Sequence, residues 1–441
     1  MRRLLVAIGC FISVSVHSQS ITNTLGTNGI FMIKDASNNY LTLNQSTGQV
    51  NILGSLRLEN TTSSTLGVVF KGADRFLHNY GSANTFLGLN SGNFTMTGNG
   101  NSAVGSNSLY SNTTGFFNTA IGNQSLYSNN TGYQNTAVGT SSLQNNTSGY
   151  RNTALGYQSL YFNNNGNDNT ALGNYSLTVN YNGVNNTALG SSSLSNNFGG
   201  ANNTAVGVQS LNSNTNGFQN TGIGYHSLFN NTGNYNTALG HNAGSTITTG
   251  ANLTCIGIDA APSSATALDQ VTLGNGFVQF LRCNVQTISS LSDMRDKKNI
   301  ADLTLGLDFL MKVKPRQFNW DKREWYEGNK SDGSKMKETF TAGFISQELD
   351  EVQTTENADW LNLVLKDNPE KLEATYGNLL PVMVKAIQEL KAEKDELKYE
   401  NNEMKQRLQN LEQSQNLLVS KLEELKLDNT SIEQVKSGGV K

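Results

Sequence analysis

The chain has 441 residues and a formal net charge of −3 at pH 7, but its charge is distributed so unevenly that the two ends are treated separately. The C-terminal 151 residues hold 23 of the 31 Lys and Arg and 28 of the 34 Asp and Glu, whereas 36 of the 43 glycines lie before Ser292. No basic stripe with interleaved aromatic residues occurs, which argues against nucleic-acid binding. The charge-poor, Gly- and Asn-rich part is either disordered or a repeat that stacks on itself.

The first 18 residues have the pattern of a secretory signal peptide. Arg2 and Arg3 precede an apolar run, and Val16-His17-Ser18 ends it with small residues. We therefore expect residues 1–18 to be removed and the protein to be secreted or displayed on a bacterial cell surface. A competing interpretation takes Cys10 as the anchor of a lipoprotein, although apolar residues continue beyond it. No later segment has the ~18 to 20 apolar residues that a membrane-spanning helix needs.

Residues 19–84 are predicted to form an N-terminal β region. Short alternating runs such as Tyr40-Leu41-Thr42-Leu43 and Val50-Asn51-Ile52-Leu53 are broken by Asn and Gly. This pattern is typical of short strands joined by turns. Nothing in it identifies a ligand.

A glycine then recurs every 17 residues from Gly88 to Gly224, and a unit shortened by one residue leads to Gly240. A similar short sequence motif surrounds each glycine, for example Asn118-Thr119-Ala120-Ile121-Gly122. We interpret residues 85–257 as a β-solenoid or β-roll of 17-residue units, each with two turns and two short strands. The alternative is a disordered Asn-rich linker, but such a chain has no reason to keep its period over nine consecutive units.

Stacking of identical units would bury side chains that one unit cannot bury alone. Ile121 and its equivalents are expected to form one aliphatic ladder, Leu126 and its equivalents another, and Asn118 and its equivalents a ladder of hydrogen-bonded amides. Gly and Asn at the corners would supply the positive φ values that tight turns require. With one rung per ~4.8 Å, eleven units would be on the order of 50 Å long.

The repeats have too few carboxylates for two kinds of site. Between Asn84 and Gly257 the only acidic residue is Asp168, whereas a glycosidase ordinarily needs two carboxylates and calcium-binding Gly-Gly-x-Gly-x-Asp repeats need many. His226 and His241 have no partner at metal-ligand spacing, so we expect no metal and no cofactor. The repeated threonines could face ice or a glycan, but hydroxyls that satisfy turns are the simpler interpretation.

Residues 258–291 form a junction between the repeats and the C-terminal part of the chain. Cys255 and Cys283 are the two cysteines of the chain after the signal peptide. In an oxidising compartment they could form a disulfide, but two small buried residues are the commoner outcome.

At Ser292 the composition changes to a mixed, charged type, and we place a new domain at 292–441. Its first nine residues, Ser-Asp-Met-Arg-Asp-Lys-Lys-Asn-Ile, are compatible with the capped first turn of a charged helix. The domain contains no histidine. A Ser-His-Asp triad within it is therefore excluded, and a lysine is the plausible base for a serine nucleophile.

This domain resembles the intramolecular chaperone domain at the C-terminus of phage endosialidase tailspikes and other tail fibres. The resemblance covers about 150 residues and is carried by the opening Ser-Asp-x-Arg-x-Lys-x-Asn-Ile, by Thr341-Ala342-Gly343-Phe344-Ile345-Ser346-Gln347-Glu348 and by Ala386-Ile387-Gln388-Glu389-Leu390. The repeat motifs resemble the head repeats of trimeric autotransporter adhesins. Those head repeats pack in threes as left-handed β-rolls and are usually shorter than 17 residues.

The first resemblance implies a trimeric, self-cleaving domain in which Ser292 and Lys297 form a dyad and the Leu291–Ser292 bond is cut. Asp293, Arg295 and Asn299 also match, and we expect them to position the loop rather than react. A lysine can take a proton from serine only if loss of water lowers its pKa from about 10.4 towards roughly 7 to 8. Burial on assembly would provide that loss of water.

The last part of the chain, 383–427, has the pattern of a coiled coil of about six heptads. Leu or Met recurs every seven residues, at Met383, Leu390, Leu397, Met404, Leu411, Leu418 and Leu425. The positions three residues earlier include Ile387, Asn401, Leu408, Gln415 and Leu422. Polar Asn401 and Gln415 in this seam would fix the register. The heptads alone leave two and three strands open, and three comes from the resemblance.

The sequence thus predicts a mainly β fold, with a trimeric β-solenoid stalk followed by a small α+β chaperone domain that ends in a long coiled-coil helix. The predicted function is an exported, adhesin-like fibre whose C-terminal domain helps it trimerise and then cuts at Leu291–Ser292, as a single-turnover Ser-Lys endopeptidase without external substrates. A host or glycan receptor is not identified by the sequence. The main alternative is a structural fibre or adhesin that trimerises and never cuts. A membrane-anchored regulatory protein and a ligand-degrading tailspike are less favoured.

Overall fold

The structure is a computed structural model that describes residues 30–34, 39–44, 46–53, 55–278, 280–282 and 292–437. The signal peptide predicted at 1–18, the alternative anchor Cys10, and Cys283 lie outside the described residues. The chain divides into two compact units, Met1–Asn216 and Gly217–Lys441. Among the helices described, none combines the length and the apolar character needed to cross a membrane.

The N-terminal part of the first unit is β-structure, as the alternating runs predicted. Three antiparallel strands form a sheet in the order β1-β2-β3, with β1 at Ile30–Lys34, β2 at Asn39–Asn44 and β3 at Gln49–Ile52. Two further strands, β4 at Val69–Lys71 and β5 at Asp74–His78, pair antiparallel. β5 then pairs antiparallel with the first strand of the repeats, so the stack begins on a hairpin.

From that point the chain is a β-solenoid of about 11 turns with 17-residue spacing. Each coil contributes one three-residue strand. In the first unit these are β6 Thr85–Leu87, β7 Ser102–Val104, β8 Thr119–Ile121, β9 Thr136–Val138, β10 Thr153–Leu155, β11 Thr170–Leu172, β12 Thr187–Leu189 and β13 Thr204–Val206. In the second unit they are β14 Thr221–Ile223, β15 Thr237–Leu239, β16 Thr254–Ile256 and β17 Val271–Leu273.

Neighbouring repeat strands are parallel and in register within each unit. Thr119 of β8 lies opposite Thr136 of β9, a step of 17 residues. Thr221 of β14 lies opposite Thr237 of β15, so the shortened coil keeps the register of its strand and loses its residue elsewhere. Equivalent residues therefore form columns along the stack within each unit.

The expectation of two strands per coil is wrong, because the second half of each coil consists of turns. Parallel pairing there is limited to single bridges, such as those that join Phe162, Val179 and Asn196. The backbone of this half instead forms hydrogen bonds to the neighbouring coils, and several of its residues have left-handed φ values. Leu126 has a φ of 50° and Gln124 a φ of 56°, values that non-glycine residues rarely adopt. The expectation that Gly and Asn supply positive φ values at the corners is confirmed, as at Gly122 and Asn107, but Leu, Gln and other residues supply such values as well.

The interior of a coil is narrow. Ala120 and Leu126 are completely buried, whereas Ile121 is 44% exposed. The predicted Leu126 ladder is confirmed, but the Ile121 ladder lies on the outside of the strand and not in the core. The reason is steric, since the Leu126 side chain already occupies the coil interior and leaves room only for the methyl group of Ala120.

The predicted amide ladder is confirmed. Asn118 and its equivalents are buried, and each side chain bonds the equivalent residues in neighbouring coils and a glycine carbonyl. A second amide ladder, which the sequence analysis missed, contains Asn129 and Asn146, whose side chains are joined at 2.7 Å. These bonds satisfy polar groups that the narrow interior shields from water.

The region after the solenoid is a small α+β domain in the second unit. Its helices are α1 at Leu307–Leu310, α2 at Ser346–Thr355 and α3 at Leu380–Ser437. Its strands pair antiparallel, β18 at Arg316–Asn319 with β19 at Phe340–Gly343, and β20 at Val364–Leu365 with β21 at Glu373–Ala374. Short 3-10 helices lie at Met294–Asp296, Arg323–Trp325, Glu327–Asn329, Asp359–Leu361 and Tyr376–Leu379. The buried core contains Phe309, Val313, Leu349, Ala358, Leu361, Leu363, Val364, Leu379 and Val382.

Helix α3 confirms the long C-terminal helix that the heptads predicted. Its first turns pack on the domain through Val382 and Ala386, which are buried. Met383 and Ile387, the first seam residues, are 44% and 63% exposed. The seam therefore faces away from the core of its own domain.

Candidate functional site

The first residues of the domain form a tight, capped turn. The 3-10 helix Met294–Asp296 is preceded by Asp293, whose carboxylate accepts a hydrogen bond of 2.8 Å from the backbone N–H of Arg295. The same carboxylate pairs with the Arg295 guanidinium at 2.6 Å. The cap expected at this turn is thus present, but it is Asp293 and not Ser292. The hydroxyl of Ser292 does not serve as the cap.

This ion pair also sets the charge of the turn. The guanidinium and the backbone N–H of Arg295 stabilise the ionised carboxylate and lower the pKa of Asp293. The pKa of Arg295 is raised in turn, because its bond to Asp293 favours the charged form. Both groups therefore remain charged and paired at neutral pH.

Lys297 leaves the turn in an extended conformation and folds back towards Ser292. Its backbone N–H bonds the carbonyl of Met294 at 3.1 Å. Its ammonium group donates a hydrogen bond to Ser292 Oγ and approaches the carbonyl oxygen of Ser292 at 3.4 Å. The turn thus brings together an amine and a hydroxyl that are five residues apart, which is the contact that a Ser-Lys dyad requires.

The remaining residues implied by the resemblance have different positions. Asn299 has a φ of 54°, a left-handed conformation that Asn tolerates better than most residues, and it turns the chain just after Lys297. Leu291 lies outside the described residues. Ser292 and Lys297 are both exposed, so the single chain does not shield this contact from water.

The second motif of the resemblance is structural in this domain. Residues 341–348 cover the end of β19 and the first turn of α2. Glu348 accepts a hydrogen bond of 2.9 Å from Nε of Arg316 on β18, and this pairing lowers the pKa of the Glu348 carboxyl. No local sequence pattern predicts this pair, because 32 residues separate its members.

A polar contact between the last coil and the domain was also missed. The carboxylate of Asp367 accepts hydrogen bonds from Gln270 Nε2 at 2.9 Å and from Ser263 Oγ at 3.2 Å. The ammonium group of Lys322 donates to the carbonyl of Gly276 at 3.2 Å and lies over the ring of Trp320. These groups lie about 50 to 100 residues apart in sequence, and no periodic pattern links them.

The capped turn and its Ser-Lys contact lie at the start of a segment that is similar to a known family. Residues 292–358 match the family model of the chaperone of endosialidase, a peptidase family. The match to the chaperone of endosialidase begins at Ser292 and includes Lys297 and Glu348. Comparison with curated proteins found no match, and neither did comparison with solved structures. The chaperone of endosialidase family implies self-cleaving intramolecular chaperone activity.

Proposed function

We propose that this protein is an exported trimeric fibre whose C-terminal domain aligns three copies of the stalk and then cuts itself off between Leu291 and Ser292. The observation that carries the proposal is the hydrogen bond from the Lys297 ammonium group to Ser292 Oγ, at the first residue of the region that matches a self-cleaving family. A solenoid of repeated coils next to a chaperone domain fits a fibre with a C-terminal assembly module.

Cleavage would proceed through an acyl shift. With Lys297 as base, Ser292 Oγ attacks the carbonyl carbon of Leu291, a C–O bond forms and the C–N bond of the peptide breaks. Lys297 passes the proton to the departing amine of Ser292. The product is an ester between Leu291 and Ser292, and water hydrolyses it to a carboxylate and the free hydroxyl. The chain thus completes one turnover and has no external substrate.

Assembly would start this reaction. In the single chain the side chains of Ser292 and Lys297 are both exposed, so water surrounds the contact between them. Contact with neighbouring copies would remove water from the amine and free it to act as base. Cleavage would then occur only in chains whose stalks are already aligned.

The alignment itself would come from α3. Nearly identical coils could pair between copies in several wrong registers, because each register offers similar contacts. The seam of α3 is exposed and carries Asn401 and Gln415, polar residues of the kind that fix one register in a coiled coil. Once three helices associate, the stalk can assemble from the aligned end without a long search.

Intact-mass analysis of the purified full-length protein tests the proposal. We expect two fragments divided at Leu291–Ser292, and one uncut chain for Ser292→Ala and for Lys297→Met. Lys298→Met is the matched control, since it removes the same charge one residue away and should cut normally. Two fragments from Ser292→Ala would refute the assignment of the nucleophile.

A non-cleaving fibre is the second candidate, and the exposure of both Ser292 and Lys297 favours it. In that case the C-terminal domain would hold the copies together permanently. The two candidates differ only in whether the Leu291–Ser292 bond is cut. A trimer that keeps Leu291–Ser292 intact after long incubation would select the non-cleaving fibre.

A further inference from the structure

The hairpin that begins the stack of repeat strands contains a buried histidine. His78 is the last residue of β5 and is 4% exposed. Its ring lies against two phenylalanines, with centroid distances of 4.7 Å to Phe86 of β6 and 4.9 Å to Phe94. The imidazole thus occupies a largely apolar site between the hairpin and the first coil.

Both ring nitrogens of His78 have a fixed partner. Nε2 lies 2.8 Å from the carbonyl oxygen of Ser91, which can only accept a hydrogen bond. Nδ1 accepts a hydrogen bond of 3.3 Å from the backbone N–H of Tyr80, which can only donate. The site therefore selects the neutral imidazole with its proton on Nε2, because a proton on Nδ1 would face the N–H of Tyr80.

A cation already lies at the same place. Arg75 donates from Nε to the carbonyl of Ser91 at 3.3 Å and from a terminal nitrogen to the carbonyl of Asn90 at 2.9 Å. Its guanidinium lies 5.4 Å from the centroid of the Phe94 ring, which also contacts His78. A protonated His78 would therefore place a second positive charge against the same carbonyl oxygen.

A bulge in β5 brings these two side chains to one side of the strand. Val69 of β4 pairs with Leu77. The next residue, Phe70, pairs with Arg75, so β5 has one extra residue between these positions. An extra residue shifts the alternation of a strand and turns a side chain in a new direction. The bulge thus explains how Arg75 and His78 reach the same carbonyl.

Few groups are available to compensate an imidazolium at this site. From residue 72 to residue 150 the only Asp, Glu, Lys or Arg residues are Asp74 and Arg75. Asp74 is exposed, and its carboxylate accepts a hydrogen bond from a side-chain amide. Tyr80 packs on the ring next to His78 and Tyr110 lies beneath the guanidinium, but a phenol carries no charge in acid.

The titration of His78 follows from these surroundings. Burial lowers the pKa of its imidazole, the hydrogen bond to Ser91 acts in the opposite direction, and the Arg75 cation lowers the pKa further. An opened hairpin would expose the ring to water and return its pKa to about 6.5. The closed hairpin is therefore fully stable above about pH 6.5 and loses stability as the pH falls towards the lower pKa of the closed state.

We infer that the β4–β5 hairpin is an acid-released cap of the solenoid and that protonation of His78 opens it. Opening would separate β5 from the first coil, where the carbonyl of Phe76 now accepts a hydrogen bond of 2.7 Å from the N–H of Gly88. The carbonyl of Arg75 accepts another, of 3.0 Å, from the N–H of Asn90. The first coil would then present an unpaired strand edge, to which other strands can bind. The cap would act whether or not the chain cuts itself.

Hydrogen–deuterium exchange of the full-length protein, measured by mass spectrometry from about pH 8 to about pH 5, tests the inference. The backbone amides of residues 69–78 measure opening of the hairpin, and those of residues 136–155 in interior coils are the reference. Exchange of the C2 hydrogen of the imidazole, followed in the same samples, titrates His78 directly.

Three variants separate His78 from other groups that take up protons. His78→Gln can still donate an amide N–H to the carbonyl of Ser91 but has no imidazole to protonate. His241→Gln is the matched control, since it removes an exposed imidazole from another coil. Asp74→Asn removes the carboxylate of β5.

We expect opening of the wild-type hairpin, corrected for the intrinsic exchange rate, to increase by up to about tenfold for each pH unit below about 6.5, while the reference coils stay closed. His241→Gln and Asp74→Asn should keep this response, and His78→Gln should lose it. A wild-type hairpin that stays closed throughout would overturn the inference, as would a His78→Gln protein that responds like the wild type.

If His78→Gln is open at every pH, the titration of His78 in the wild type decides. A ring that takes up its proton only as the hairpin opens supports the cap. A ring that takes up its proton while the hairpin stays closed overturns it.

Discussion

Asn118 Oδ1 accepts two hydrogen bonds from the residue one coil later, the backbone N–H of Asn135 at 3.0 Å and its side-chain amide at 3.2 Å. The Asn135 amide also donates to the carbonyl of Gly149 at 2.8 Å. One carboxamide thus joins neighbouring coils and closes its own turn. Asparagine is the side chain of this length with both an acceptor and two donors, which explains why it recurs at the equivalent position from Asn84 to Asn236.

Removal of one rung of this ladder should destabilise the stalk. In Asn152→Ala the backbone N–H and the side-chain amide of Asn169 both lose their buried acceptor, whereas the carbonyl of Gly166 keeps the amide of Asn163. Unsatisfied buried groups cost about 1 to 3 kcal/mol each, so we expect a clear fall in the thermal midpoint measured by circular dichroism. Asn182→Ala, at an exposed position, is the control and should change the midpoint little. Equal midpoints for the two variants would contradict the role of the ladder.

The corner glycines should be even less tolerant. Gly156 has a φ of 136°, and a Cβ atom there would lie 2.6 Å from the carbonyl oxygen of Gly173 in the next coil. Because backbone cannot move aside, we expect Gly156→Ala to lose at least ~3 kcal/mol of stability. Gly328→Ala is the comparison, with a φ of 71° and open space around its Cβ position, and should cost about 1 to 2 kcal/mol. Chemical denaturation measures both, and a mild Gly156→Ala would show that the coils can separate locally.

Two adjacent faces of α3 should respond differently to the same substitution. Ala386→Glu places a charge against the core of the domain and should unfold it. The tryptophan fluorescence of this variant would then no longer change when denaturant is added. Ile387→Glu alters a residue that is 63% exposed, so the domain should fold while the helices fail to associate. Light scattering gives the mass of each variant. An Ile387→Glu trimer would show that the seam is not the contact surface.

Cys255 should make the stalk sensitive to alkali. Burial raises the pKa of its thiol from 9.0 to about 11, so the folded state favours the neutral thiol. The stabilisation is complete below pH 9 and is lost as the pH rises towards 11. Cys255→Ala, which matches the residue of most other coils, should show a smaller fall of the thermal midpoint over this range. Identical pH profiles for the two proteins would exclude this contribution.

The capped turn should control the rate of self-cleavage. Asp293→Ala removes both the cap and the ion pair with Arg295, so Lys297 is held less well against Ser292, and misplacement of a catalytic group costs on the order of 100-fold in rate. Asp293→Asn keeps a cap and should lie between this variant and the wild type. Asp296→Ala in the same turn is the control. The appearance of fragments over time measures the rates, and a normal rate for Asp293→Ala would remove the turn from the mechanism.

Much of the solenoid could be predicted from its period alone. A 17-residue repeat with Asn118 and Leu126 at fixed places requires coils that stack in register, and both ladders follow. The side of the strand that faces inward was assigned wrongly, because Ile121 is more hydrophobic than Ala120 and the sequence does not show how narrow the coil is. The left-handed conformation of Leu126 was unforeseen for a similar reason, since coil-to-coil bonds override the local preference of leucine.

The candidate site was predictable to the extent that it is local. Five residues separate Ser292 and Lys297, and one turn is enough to bring them together. The contacts of Asp367 with Gln270 and Ser263 depend on how the domain folds, which no short motif encodes. The Leu291 side of the bond to be cut lies outside the described residues, so the cleavage itself stays a prediction.

Because neighbouring coils pair in parallel with a step of one repeat, the length of the solenoid is set by the number of its repeats. Insertion or deletion of a whole 17-residue segment by gene duplication or recombination would restore every column and change the reach by about 4.8 Å. The 16-residue step from Thr221 to Thr237 shows that a turn can also lose a residue without disturbing the strands. A change of whole repeats would therefore lengthen or shorten the solenoid without requiring a new core.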